Sequence, residues 1–180
     1  WPSDPGLQAQ FMMVQRKLAN LKKSFIVGRI KPKTQFGRTR KRREIHVWWG
    51  GLQRNGDLLL LLAYLLNINP QWRDAKVRIM SIATTETMRA RTGSYLEQML
   101  QVVRIDAEVQ VIQLPEGRLV REVVQEYSEV ADVVFMGMSS SEEGKEAEAA
   151  ERLDKLAGDL PCVFFVHNAS LFTGDLLDGG

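Results

Sequence analysis

The side chains that could carry out covalent or metal chemistry are few and far apart. The chain has two histidines, His46 and His167, and one cysteine, Cys162. His46 interrupts an otherwise apolar run, 45–49, and His167 directly follows another, 162–166. No second pair of ligands at helical spacing accompanies either histidine, so a zinc-type site has too few donors. Cys162 and His167 do not make a nucleophile and base. Successive strand residues point to opposite faces, and a cysteine inside CVFFV is a small buried hydrophobe. Trp48, Trp49 and Trp72 fit core or interface positions better than an exposed stacking platform.

Anion recognition has slightly better material. Gly137 and Gly144 bracket a polar loop carrying Ser139, Ser140 and Ser141, whose hydroxyls and amides could face a phosphate. Gly50, Gly51 and Gly56 punctuate a second loop. Neither has the GxxxxGK[ST] or GxGxxG spacing that builds a phosphate cradle. Glu142, Glu143 and Glu146 crowd the start of the following helix, where they complement its dipole and oppose an arriving anion. Gly137, Ser139 and Ser140 are therefore the candidate nucleotide contacts, as a degenerate phosphate loop. Enzymatic activity, a metal and an obligatory cofactor are not expected.

These loops need a scaffold that brings them together, and the hydrophobic pattern supplies one. Apolar runs at 45–49, 76–83, 108–114, 132–138 and 162–166 read as strands. Between them, 58–66, 85–103, 118–130 and 147–156 read as helices, the third strand alternating as one with a wetter face would. Strands alternating with helices predict an α/β fold, a three-layer, doubly wound, mostly parallel sheet. In such sheets ligands sit beyond the carboxyl ends of the strands where the order reverses. The expected reversal lies between strands 45–49 and 133–138, which places both glycine-containing loops in one crevice.

The segment 45–66, IHVWWGGLQRNGDLLLLLAYLL, is the most informative. A buried strand turns through glycines, Asp57 is placed to cap a helix, and residues 58–66 follow with no polar face. A helix apolar all round needs cover from several directions, from the sheet and from a partner such as a second copy. The run is about half the roughly 20 residues that span a bilayer. Ahead of it, 8–23 reads as an amphipathic helix with Phe11, Val14, Leu18 and Leu21 on one face, and 24–30 as a strand whose attachment is undecided. Helix 85–103 is expected to turn Met88, Tyr95, Met99 and Leu100 to the sheet.

The expected organisation is an N-terminal helix, strand and basic loop over 1–44, an α/β core over 45–170, and a tail over 171–180. The 180 residues are 44% hydrophobic and 26% charged, ordinary for a globular chain. A formal charge of +2 gives no argument for nucleic acid. The basic residues cluster instead at Arg38, Arg40, Lys41, Arg42 and Arg43, a loop that could meet anionic lipid headgroups. The chain opens on Trp1 and not Met, as a piece of a longer polypeptide would.

Several of these stretches resemble one family. IHVWWGGLQRNGDLLLLLAYLL is similar to a segment of the cytoplasmic carboxyl-terminal domain of cation-chloride cotransporters. WRDAKVRI at 72–79, RIDAEVQVIQL at 104–114, DVVFMGMS at 132–139, the 159–170 run through CVFFVHNAS, and LANLKKSFIVGRI at 18–30 resemble further segments in the same order. The short link from Gly117 into helix 118–130 resembles a compact prokaryotic-type member. His46 and His167-Asn168 depart from the family's usual Asp and Arg-Gly.

The resemblance implies a universal-stress-protein-like fold. It also implies a regulatory, homodimer-forming domain on the cytoplasmic side of the cell membrane. Its parent would cotransport chloride with sodium and/or potassium, with ion translocation in a transmembrane half of the same polypeptide. The alternative is a free-standing universal-stress-like nucleotide-binding protein, which should carry a complete glycine motif after strand 132–138.

Overall fold

The computed structural model describes residues 2, 4–32, 42–50, 53–103 and 105–169. Helix α1 (Pro5–Asn20) leads to β1 (Phe25–Ile30), followed by β2 (Glu44–Trp48), α2 (Gln53–Asn67) and β3 (Lys76–Ala83). Helix α3 (Glu86–Val103), β4 (Glu108–Gln113), α4 (Val120–Ser128), β5 (Val133–Gly137), α5 (Glu146–Ala157) and β6 (Cys162–His167) complete the order. The strands form one six-stranded sheet in the order β1-β6-β5-β2-β3-β4. All neighbours are parallel except β1, which runs antiparallel to β6 from Phe25 opposite His167 to Ile30 opposite Cys162. The expected doubly wound sheet is present, and the undecided strand 24–30 is its antiparallel edge.

Alternation along the strands divides the core in two. Ile45, Val47, Val77, Ile79, Val133 and Phe135 face one side and pack with Leu59, Leu60, Ala63, Leu96 and Leu100 of α2 and α3. Trp48, Met80, Val134, Met136, Val163 and Phe165 face the other, under α1, α4 and α5. Strands buried on both faces have no need of polar alternation, which is why they read as continuous apolar runs. Strand β4, at the edge, exposes Glu108, Gln110 and Gln113 as expected of a wetter strand.

Three expectations change. Helix α2 starts at Gln53, so Asp57 lies within it and is not its N-cap. Gly56 falls in its first turns because the Trp49 indole lies against it. A Cβ there would stand 2.1 Å from a ring carbon, a distance no side chain tolerates. Helix α1 turns Gln8, Met12 and Gln15 inward, with Phe11 only partly buried, and leaves Val14 and Leu21 exposed. Gln8 Nε2 donates to the Pro2 carbonyl at 2.9 Å and Gln15 Oε1 accepts from the Ser141 amide at 3.4 Å, so these inward positions are polar. On α3, Leu96 and Leu100 are buried and Met99 partly so, but Met88 and Tyr95 stay exposed at one end of the sheet.

One buried polar chain ties the layers. Trp48 Nε1 donates to Ser128 Oγ at 2.8 Å, Ser128 Oγ lies 3.2 Å from His46 Nδ1, and His46 Nε2 lies 3.2 Å from Glu44 Oε2. Every group is satisfied when His46 carries its proton on Nε2, so that the serine hydroxyl donates to Nδ1. Glu44 also meets Arg78 at 3.1 Å, and Arg78 and Lys76 both reach Glu108. His46, foreseen as an interruption, is a core histidine with partners on both nitrogens.

Candidate functional site

The order of the sheet reverses at β2, which is flanked by β3 and β5, as the sequence led us to expect. The loops after β2 and β5 therefore lie side by side at the carboxyl edge. What occupies the crevice between them was not foreseen. Asn55, in the first turn of α2 and buried, donates from Nδ2 to the Met138 carbonyl at 3.1 Å. Its Oδ1 accepts from the Asn168 backbone amide at 2.8 Å. His167 Nδ1 sits 3.3 Å from the same Met138 carbonyl, and its ring stacks on Phe25 with centroids 4.9 Å apart. One asparagine thus links α2, the β5 loop and the end of β6.

That linkage explains Gly137. A Cβ at this position would come 3.0 Å from Asn55 Nδ2 and 3.2 Å from its Cβ. The glycine makes room for a protein side chain where a phosphate-binding loop makes room for a phosphate. Ser139 and Ser140 are exposed, whereas Ser141 is buried. The Ser141 amide donates to Gln15 Oε1 and its hydroxyl to the Met12 carbonyl, both at 3.4 Å. The third serine is thus engaged by α1 and faces no ligand. Arg16 of α1 pairs with Glu146 at 2.7 Å and reaches Glu143 at 3.6 Å, while Lys145 pairs with Glu142. The Lys145 ammonium holds the Glu142 carboxyl below the usual carboxylate range.

Beside this pinned half, the crevice opens into a cavity of about 540 Å³ between α3 and the α4–α5 pair, floored by the ends of β2, β3 and β5. Cys162 is far from reactive: burial pushes its thiol up to about 12. Among the described residues no group of three or more His, Cys, Asp or Glu is placed to hold a metal ion. No described helix is long and apolar enough to cross a membrane.

The outer side of α2 is the second notable surface. Leu59, Leu60 and Ala63 are buried, but Tyr64, Leu65 and Ile68 are 40%, 50% and 50% exposed. The all-apolar helix is covered from one direction by its own sheet and uncovered on the other. Of the basic cluster, Arg38, Arg40 and Lys41 lie outside the described residues. Arg42 Nε donates to the Asp74 carbonyl and Arg43 to that of Gln71. The Arg43 guanidinium also lies 4.7 Å from the Trp72 ring centroid. Those two arginines thus brace the turn before β3.

Comparison with known proteins agrees with this architecture. A solved structure, the cytoplasmic domain of a prokaryotic cation chloride cotransporter, superposes with a TM-score of 0.73 at 19% identity, covering 98% of this chain and 64% of that one. Potassium/chloride cotransporter 3 of Caenorhabditis elegans is 29% identical over 87 residues, 48% of this chain. The chain spans only 8% of the length of that curated relative. The model of solute carrier family 12 matches residues 8–155, and the chain belongs to that family.

Proposed function

We propose that this chain is the cytoplasmic regulatory and dimer-forming domain of a transporter that moves chloride together with sodium and/or potassium. In that reading it catalyses no reaction, and the transmembrane half of the same polypeptide carries the ions and holds the domain at the cytoplasmic face of the membrane. Membership of solute carrier family 12, matched across residues 8–155, is the observation that carries it. The names of the two relatives, both cation-chloride cotransporters, point the same way.

The dimer-forming role draws on the uncovered face of α2. Tyr64, Leu65 and Ile68 put apolar area into water that a second copy could bury at about 25 cal/mol per Å². Sedimentation equilibrium of the 180-residue chain at micromolar concentration tests this. Self-association lost in Leu65→Glu/Ile68→Glu, with the melting temperature kept, is the expected result. A wild-type chain that stays monomeric at high concentration overturns it.

Nucleotide binding is weak or absent in this reading, because Asn55 takes the space over Gly137. Calorimetric titration with ATP should show no submillimolar affinity. The transport role itself is checked in the full-length parent, where removing the domain should change chloride-dependent cation uptake.

A further inference from the structure

The open half of the carboxyl-edge crevice is a mostly apolar cavity with a chemical bias of its own, independent of the transporter reading. Its walls are Trp49 and Tyr95 on one side and Val124 and Leu156 on the other, over a floor that includes Met136. At about 540 Å³ it falls in the range of small-molecule sites, which run from about 300 to 1,000 Å³. Its polar atoms are few, and several are already committed. Ser81 Oγ donates to the Trp49 carbonyl at 2.9 Å, and Thr84 Oγ1 is turned to the Met88 sulfur at 3.8 Å.

Among the described residues one charged side chain lines the cavity, Arg91 of α3, exposed at its mouth beside Thr92. It forms no ion pair with any described residue, unlike its neighbour Arg89, which is held by Glu86 at 2.7 Å. A single guanidinium with no lining carboxylate suits one negative charge, since a guanidinium binds a carboxylate through paired charge-assisted hydrogen bonds. A polyphosphate has too many charges for this wall, and Asn55 fills the adjoining position over Gly137. The aromatic rings do not form a flat slot: Trp49 and Tyr95 are tilted by 57° with centroids 6.2 Å apart. Methionine and branched aliphatic side chains complete the lining, surfaces that adapt to a flexible chain better than to a rigid plane.

We propose that this cavity binds a free medium-chain fatty acid, its carboxylate on Arg91 and its acyl chain across Trp49 and Met136 toward Val124 and Leu156. The test titrates the 180-residue chain with decanoate below its micelle concentration, with decanol, acetate and ATP as comparisons. Quenching of Trp48 and Trp49 by a brominated decanoate provides a second readout. Decanoate should bind in the submillimolar range, with acetate and ATP at least tenfold weaker.

Arg91→Gln should weaken decanoate about tenfold, the value of one charge-assisted contact, and leave decanol unchanged. Val120→Trp, at a half-exposed position on the cavity wall, should abolish binding of both. Met88→Trp on the opposite wall serves if the first variant fails to fold. Four results each overturn the proposal: no submillimolar decanoate binding, decanoate affinity unaffected by Arg91→Gln, acetate or ATP equalling decanoate, or Arg91-dependent binding to anionic lipid vesicles without binding of the free acid.

Discussion

Replacing Ser128 with alanine tests the internal architecture most directly. The hydroxyl is fully buried, accepts from the Trp48 indole at 2.8 Å and faces His46 Nδ1 at 3.2 Å. Alanine removes one oxygen, so the cavity term is small and the loss is polar. The indole N–H, inside the core, then has no acceptor, and an unsatisfied buried donor costs about 1–3 kcal/mol. His46 loses its partner on Nδ1 at a further cost of about 1 kcal/mol. The sum is about 2–4 kcal/mol, a drop of roughly 5–15 °C in melting temperature for a chain of this size. Urea denaturation followed by tryptophan fluorescence measures it, and unchanged sheet circular dichroism shows that the fold persists. Trp48→Phe should cost less in the Ser128→Ala background than alone, with a coupling of about 1 kcal/mol or more. A loss below about 0.5 kcal/mol, or strict additivity of the two changes, would refute the hydrogen-bonded chain described above.

Gly56→Ala should destabilise by about 1–3 kcal/mol despite the higher helix propensity of alanine, because its Cβ would stand 2.1 Å from the Trp49 ring; a gain in the urea midpoint would contradict this. Cys162 should stay unreactive to a disulfide reagent until the chain unfolds. Because its folded pKa is raised, the stability it contributes is complete below the ordinary thiol value and is lost as pH climbs toward about 12, so the urea midpoint should fall progressively in strong alkali. Glu108, held low by Lys76, has the opposite sign: its contribution is present above the ordinary carboxylate value and is lost as pH falls through the depressed one, with added salt diminishing it. If the basic segment meets the membrane, changing Arg38, Arg40, Lys41, Arg42 and Arg43 to serine should abolish a steeply salt-dependent co-sedimentation with anionic vesicles; equal binding by both forms removes that role.

How far these features were legible depends on whether they are local. The five parallel strands and the reversal between β2 and β5 followed from apolar runs and their spacing, because strands buried on both faces leave few alternatives. The start of α2 was misplaced because Gly56 and Asp57 look like turn and cap residues in isolation. Only the approach of Trp49, seven positions earlier, shows why a glycine belongs inside that helix. The inner face of α1 was missed for a related reason. Gln8 and Gln15 look like solvent residues until the Pro2 and Ser141 backbone atoms that engage them are in place. Asn55, which decides the character of the crevice, gave no signal in the sequence at all. Its partners Met138 and Asn168 lie far along the chain and use backbone atoms, which every residue type shares.

The crevice where ligands bind in such sheets is divided between two uses. On the β5–β6 side the polar groups satisfy one another: Asn55 bridges to Met138 and Asn168, His167 leans on the same carbonyl, and Ser141 is held by α1. An incoming anion would have to break those bonds and leave buried backbone groups unpaired, each break costing about 1–3 kcal/mol. On the β2–β3 side no such network closes the space among the described residues, and Arg91 forms no ion pair with any of them. The pinning also has a mechanical consequence. Asn55 sits in the first turn of α2, and the last turn of that helix carries the exposed Leu65 while Ile68 follows directly. A helix fastened at one end to the β5 and β6 loops moves with them. If a second copy seats on Leu65 and Ile68 as proposed, α2 would link that contact to the same loops that α1 grips at Ser141.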